Sequence, residues 1–258
     1  MKKLLIFGAL LLAVAGSAAD KVINLNKVDA WTPDKYMQAE GDVLTARKSV
    51  IITGKELIEL DDKHTYNFSG EIKQFPGCVV ASIFIGYQIL DKDKNIITMV
   101  MASGIKPSTT ELAKPAKKGD TTITIKANTQ WTARNHYFIG FDIKEGKLCR
   151  NVSSARIQKV EKAGDHMIVT LGKPMEKDFA AGIKVRIQNS GGYFYSGYNR
   201  TGANWAKFGK ALKKSQFWPE AAYVRPMLLL NWSTPPKTAA SKIGSQFKDM
   251  KLTIKEIK

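Results

Sequence analysis

The sequence predicts an all-β protein, a β-sandwich interrupted by a small β-rich insertion, and three observations predict it. Eleven short stretches are rich in β-branched and aromatic residues, turn-forming residues stand between them, and only residues 204–214 have the composition of a helix. The chain has 258 residues, with 40 Lys plus Arg against 23 Asp plus Glu, a formal net charge of +17. With 44% hydrophobic and 24% charged residues, it is too apolar for a disordered chain and too charged for a multi-span membrane protein.

The elements follow in chain order. Residues 1–19 read as a secretory signal peptide: Lys2 and Lys3 form a basic start, residues 4–14 an apolar run, and Ser17-Ala18-Ala19 places small residues where a signal peptidase cuts. That apolar stretch, broken by Gly8 and Gly16, falls short of the roughly 20 residues that cross a bilayer. Asp20, where a lipoprotein would carry Cys, speaks against lipidation. Cleavage leaves 239 residues and, because two lysines depart, a charge of +15. The expected address is secreted, periplasmic or cell-surface, and no later stretch is long enough to act as a transmembrane anchor.

Residues 50–53, 66–73, 79–90 and 96–102 are the first expected strands, punctuated by Phe75-Pro76-Gly77 and by the turn Asp91-Lys92-Asp93-Lys94-Asn95. Residues 121–126, 136–141, 154–161, 166–171 and 183–188 follow. In Thr121-Thr122-Ile123-Thr124-Ile125-Lys126 the apolar side chains fall on one face. After Ser190-Gly191-Gly192 come the strands 224–231 and 250–257. Cys78 and Cys149 stand 71 positions apart; one disulfide, or one buried and one exposed thiol, fits the count equally. With no Cys-x-x-Cys and no Cys/His cluster, neither a zinc nor a redox site has sequence support.

One segment differs from its flanks. It runs through Glu111-Leu112-Ala113, Lys118-Gly119-Asp120-Thr121-Thr122-Ile123, Trp131, Ile168-Val169-Thr170-Leu171, Pro174 and Ala181-Gly182-Ile183-Lys184-Val185. This resembles a small β-module recurrent in surface and phage-tail-like proteins. Its logic is turn-setting: Gly119 permits positive φ, Asp120 caps the turn, and Gly182 repeats the device. Read as an insertion over residues 108–189, it splits a sandwich made of residues 20–107 plus 190–258. Those flanks total 157 residues, the size of one sandwich domain.

The flanks carry Thr65-Tyr66-Asn67-Phe68-Ser69-Gly70-Glu71-Ile72-Lys73, then Phe84-Ile85-Gly86-Tyr87-Gln88-Ile89-Leu90-Asp91 with Asn95-Ile96-Ile97, and finally Asp249-Met250-Lys251-Leu252-Thr253-Ile254. These strands resemble the galactose-binding-like jelly roll shared by many carbohydrate-binding modules. The resemblance covers about 60% of the chain beyond residue 19 and implies glycan binding. Some members hold a structural calcium through a carboxylate in the last strand. Asp249 matches that position, whereas the partner ligands near the start of the domain have no match. No other cofactor is implied.

Sugar binding needs flat aromatic rings beside amides and guanidinium groups. The segment Tyr193, Phe194, Tyr195, Ser196, Gly197, Tyr198, Asn199, Arg200 and on to Trp205 supplies them most densely. Tyr193, Tyr195, Tyr198, Asn199, Arg200 and Trp205 are therefore the expected glycan ligands, read as a glycine-spaced loop. The competing reading makes alternate members strand core. Trp31 and Trp218 are expected to close the core. If residues 204–214 are helical, Lys207, Lys210 and Lys214 share one face and form the expected anion contact. The excess charge suits an anionic polymer, while no helix-turn-helix, finger or RNA-binding signature supports specific nucleic-acid reading.

No nucleophile elbow or His-Glu-x-x-His is present, and His64, His136 and His166 lie far apart in the chain. A glycosidase would need two carboxylates facing each other across a cleft, and a pair such as Glu40 with Asp42 leaves that alternative open. The expected function is non-catalytic recognition of a polysaccharide or cell-surface glycan. The alternatives are a structural or adhesive protein that associates with itself or a partner, and a polysaccharide hydrolase, or a lyase using Tyr with Lys or Arg in place of the carboxylates.

Overall fold

The computed structural model describes residues 20–235 and 237–257, so the signal peptide expected at residues 1–19 lies outside the described residues. The chain opens with β1 (Lys21–Asn24), β2 (Trp31–Thr32), β3 (Met37–Glu40), β4 (Val43–Ala46), β5 (Val50–Gly54), β6 (Ile58–Glu59), β7 (His64–Gln74), β8 (Ser82–Leu90) and β9 (Ile96–Ile97), then one turn of helix, α1 (Met99–Ala102). A second group comprises β10 (Thr110–Glu111), β11 (Thr122–Lys126), β12 (Tyr137–Phe141), β13 (Asn151–Ala163), β14 (His166–Leu171) and β15 (Lys184–Asn189). The chain finishes with β16 (Phe194–Arg200), β17 (Ala206–Lys213), β18 (Tyr223–Trp232) and β19 (Ser245–Glu256).

All pairings are antiparallel, and the first and last groups make two sheets. One runs β17-β7-β19-β4-β3, with β1 added beside β19; the other runs β16-β8-β18-β5-β2, with the short β6 and β9 attached. Numbered along the chain, the eight strands β4, β5, β7, β8, β16, β17, β18 and β19 pair as first-eighth-third-sixth and second-seventh-fourth-fifth. That is jelly-roll topology, two interlocked Greek keys.

Alternation explains the core. In β7, Tyr66, Phe68 and Ile72 point inward; in β8, Ile83, Ile85, Tyr87 and Ile89 do; and both sets meet Leu228, Leu230, Phe247 and Leu252 in one cluster. Gly70 makes room for side chains from both neighbouring strands of its own sheet, since a Cβ there would stand 2.9 Å from Met250 of β19 and from Phe208 of β17. Trp31 is fully buried, as expected, and its Nε1 donates to the Leu25 carbonyl at 2.9 Å, so the indole adds apolar area without an unsatisfied donor. Trp218 packs against the same cluster while half-buried.

The second group forms its own six-stranded sheet, β10-β15-β12-β13-β14-β11. Its two ends meet. Leu112 bridges Ile125, the Ala113 amide donates to the Thr124 carbonyl at 2.9 Å, and Lys126 pairs with Glu111 at 2.6 Å, closing the sheet into a small barrel. A separate cluster fills it, including Trp131, Ile139, Phe141, Ile157, Val169 and Val185; Trp131 Nε1 donates to the Ser108 carbonyl at 2.7 Å. The incoming and outgoing chains run side by side, with Ile105 N donating to Ile187 O and Asn189 N to Ser103 O, each at 2.9 Å.

Barrel and sandwich are joined by Leu148, which enters the sandwich core, and by Arg150. Arg150 reaches Asp91 at 3.1 Å and Glu220 at 2.7 Å, and Leu148 N also donates to Glu220. The Asn95 amide, with Arg150 behind it, holds the Asp91 carboxyl below the usual carboxylate range. For Glu220 the Arg150 guanidinium is the main cause of the same shift.

Three sequence expectations change. Residues 204–214 are the strand β17 followed by a short 3-10 turn, because Ala206 to Lys213 pair residue for residue with β7. The expected strand 96–102 is only β9 and then α1, whose Met101 and Ala102 pack on the core and whose Met101 carbonyl accepts from Cys149 N. Cys78 and Cys149 are both buried and both free, which removes the disulfide and the exposed thiol together. Burial pushes the Cys149 thiol up, the opposite of a reactive cysteine.

Candidate functional site

Residues 193–205, expected as one loop, divide between the two sheets. β16 is the edge strand of one sheet and β17 the edge strand of the other, and residues 201–205 cross between them. Tyr193, Tyr195, Tyr198, Asn199 and Arg200 therefore lie with β16, while Trp205 lies on the far side beside β7.

On the β16 side the rings gather on the outer face of the sheet. Register pairs Tyr198 with Phe84 and Tyr195 with Gly86, and a bulge between Tyr195 and Gly197 keeps both tyrosines facing out. Phe84 has Tyr195 on one side, centroids 5.0 Å apart, and Tyr198 on the other at 4.9 Å. Tyr193 meets Tyr195 edge-on at 6.4 Å. Tyr198 is 52% exposed, and its hydroxyl shares a hydrogen bond with Ser82 Oγ at 3.0 Å. Burial against these neighbours raises the Tyr195 phenol. Gly86 makes the arrangement possible: a side chain there would strike the Phe194 carbonyl, which crosses directly over it.

The row continues across the sheet. Ser82 pairs with Arg200 on one side and with Trp232 on the other, and Trp232 is 45% exposed. Two strand spacings put Trp232 about 10 Å from β16. Met227 and Leu229, earlier on the same strand as Trp232 and opposite Gly86 and Phe84, are buried apolar residues of this face, and Arg225 shares it with its Nε buried and unpartnered among the described residues. Phe84 and Trp232 were not among the expected ligands. Strict alternation with Ile83, Ile85 and Tyr87 would have put Phe84 on the outer face. Trp232 gave no such signal, because a bulge between Leu229 and Trp232 resets its side. Asn199 falls on the other side of β16 from Tyr198 by alternation and is only half-exposed, so it stands apart from the rings.

Trp205 is not a free platform. The Lys73 and Lys248 ammoniums lie 4.7 and 4.9 Å from its ring centroid, and it is half-buried. The three expected anion contacts do not share a face either. On a strand, Lys207 and Lys210 point to opposite sides, Lys207 opposite Glu71 and Lys210 opposite Phe68. Lys214 lies beyond the strand, in the 3-10 turn, 4.0 Å from Asp62.

Asp249 is exposed at φ 53°, in a bulge of β19 between Lys248 and Lys251. Around it the polar groups are served by Asn26, whose amide donates to the Asp42 carbonyl at 2.7 Å and accepts from Met250 N at 3.4 Å. Among the described residues no group of three or more His, Cys, Asp or Glu side chains that could hold a metal ion forms, around Asp249 or elsewhere. Glu40 and Asp42 flank the exposed β3–β4 turn at Gly41 rather than a cleft. His64 and His166 are taken up by neighbouring carboxylates, Asp61 at 2.7 Å and Asp165 at 2.5 Å. Among the described residues no helix is long and apolar enough to cross a membrane.

Fold and site define a class: an all-β jelly-roll sandwich with an exposed aromatic sheet face and a closed barrel inserted between its fourth and fifth strands. Among solved structures the chain is similar to VP17, a capsid protein of bacteriophage P23-77, at 7% identity over 93% of this chain and 97% of that one, with a TM-score of 0.19. That likeness is too small to carry fold or function across. No protein-family model matches the chain, and no curated protein matches it in sequence.

Proposed function

We propose that this chain is a non-catalytic glycan-binding protein that holds sugar rings on the outer face of the β16-β8-β18 sheet. The carrying observation is the row Tyr195, Phe84 and Tyr198, with Trp232 two strands away. Rings of this kind stack on the C–H faces of pyranoses, and Ser82, Arg200 and Arg225 are the polar groups on the same face. The strand motifs of the flanks, similar to galactose-binding-like modules, support the same reading, as does the excess of positive charge for an anionic glycan. Residues 1–19 support export to the periplasm, cell surface or medium.

The test is retention of the chain on a panel of neutral and acidic polysaccharides at low and high salt. Saturable binding to a few polymers that survives high salt supports a shaped sugar site. Retention on every anionic polymer that vanishes with salt overturns it in favour of bulk charge, and release of shortened sugars overturns the non-catalytic part. A structural or adhesive role is the second reading, favoured by β16, which pairs with β8 on one side only beside exposed rings. Concentration-dependent self-association without sugar binding would select it.

A further inference from the structure

The barrel has its own surface feature, a groove of about 640 Å³, within the roughly 300–1,000 Å³ range of small-ligand sites. Alternation along β13 explains its lining. Ala155 and Ile157 fill the barrel, so Ser154, Arg156 and Gln158 face out, and Arg156 pairs with Phe138 of β12. Arg134 arrives from the turn before β12, fixed by Tyr137 N donating to its carbonyl at 3.0 Å and by its guanidinium 5.5 Å from the Tyr137 ring. Lys173 follows Gly172, whose amide donates to the Arg156 carbonyl at 2.9 Å.

Three cations thus line one groove with Phe138, and no carboxylate lines it. None of the three forms an ion pair among the described residues. Elsewhere on the barrel, Lys117, Lys126, Lys144 and Lys159 each pair with an acid, while exposed lysines such as Lys114 and Lys162 stand singly rather than around one groove. An arginine without a carboxylate keeps its fork of donors for a bidentate oxyanion.

We infer that this groove is a second binding site, taking the oxyanion of an acidic saccharide, a uronate carboxylate or a sulfate ester, with the sugar ring against Phe138. A nucleic acid would call for a track of cations matched to successive phosphates, whereas this open groove gathers three charges around one ring, with Asn135, Ser154 and Gln158 suited to hydroxyls. The saccharide half of the assignment rests on the function proposed above; the oxyanion half rests on the three cations alone.

The experiment measures binding of the full chain to polygalacturonate, dextran sulfate, neutral dextran and single-stranded DNA at about physiological salt. Arg134→Ala with Arg156→Ala is expected to weaken binding of the acidic polymers at least tenfold. Lys114→Ala with Lys162→Ala, which removes two exposed charges elsewhere on the barrel, is expected to change it less than twofold. Arg156→Lys keeps the charge and loses the fork; a measurable loss there, with an unchanged melting curve, supports the geometry. Equal loss in both double variants, or no binding of either acidic polymer by the unaltered chain, overturns the site. DNA bound as tightly as polygalacturonate, with the same arginine dependence, overturns the saccharide. Loss of neutral-glycan binding in Tyr198→Ala concerns the sheet face and leaves the groove standing.

Discussion

The sandwich and the barrel are built from the same short strands, yet one is open and the other closed. The two sheets of the sandwich run out to open edges at β16, β17, β2 and β3, with the short β1, β6 and β9 also paired on one side, while the barrel joins its ends through Leu112 and Ile125. The surface follows the topology. Tyr193, Tyr195, Tyr198 and Trp232 are exposed on the sandwich, and Ile168 is the exposed large apolar residue on the barrel among the described residues. An open sheet leaves a flat face on which rings can lie exposed. A closed one turns its apolar residues inward and presents the polar half of each strand, which is where Arg156 stands.

The sharpest way to break this comparison is to empty one core. Trp131→Ala removes the largest side chain of the barrel cluster and is expected to cost the barrel about 3–5 kcal/mol. Calorimetry should then resolve an early barrel transition ahead of the sandwich; a single transition shifted as a whole would mean the two cores are one cooperative unit. Gly86→Ala forces β16 away from β8 and is expected to cost about 1–3 kcal/mol of sandwich stability. It should abolish neutral-glycan binding while leaving acidic-polymer binding at the barrel, and retained neutral-glycan binding would move the sugar site off the sheet face.

Tyr198→Ala or Trp232→Ala is expected to weaken glycan binding by about 1–2 kcal/mol, read by calorimetric titration, with the melting temperature nearly unchanged. A variant that unfolds would show that ring to be structural. The smallest effect concerns the joint. Asp91 and Glu220 have pKa values lowered in the folded state, so their contribution is present above the unfolded carboxylate pKa, about 4, and is lost as pH falls through the folded values. Hydrogen exchange around Leu148, taken relative to the intrinsic rate at each pH, should accelerate below about pH 4. Arg150→Ala should accelerate it already at pH 7, the partly exposed Glu220 arm accounting for no more than about 1 kcal/mol. If exchange is equally slow in Arg150→Ala at pH 7, the clamp does not hold the barrel.

Much of the fold was legible because alternation is a local signal. The expected strand 166–171 coincides with β14, and 66–73 lies within β7. The failures have physical causes. In β17, Phe208 and Leu212 are four apart, a spacing that suits both a helix face and a strand face, and Ala and Lys favour the helix; pairing with β7 decides otherwise. The first half of β19 was missed because the bulge at Asp249 interrupts the alternation. The candidate site was half legible. Tyr195 and Tyr198 were found by composition, but their separation from Trp205 depends on the chain changing sheets after Arg200, which composition does not encode.

The position of the barrel in the chain also sets an order of assembly. Every strand beside β7, namely β17 and β19, and every strand beside β8 except the two-residue β9, lies after Asn189. As the chain is made from its amino end, the barrel has all six of its strands once β15 has been synthesised, while β7 and β8 still lack the neighbours that cover them. The sandwich therefore waits, its longest early strands unpaired, until the barrel and then β16 to β19 have been made.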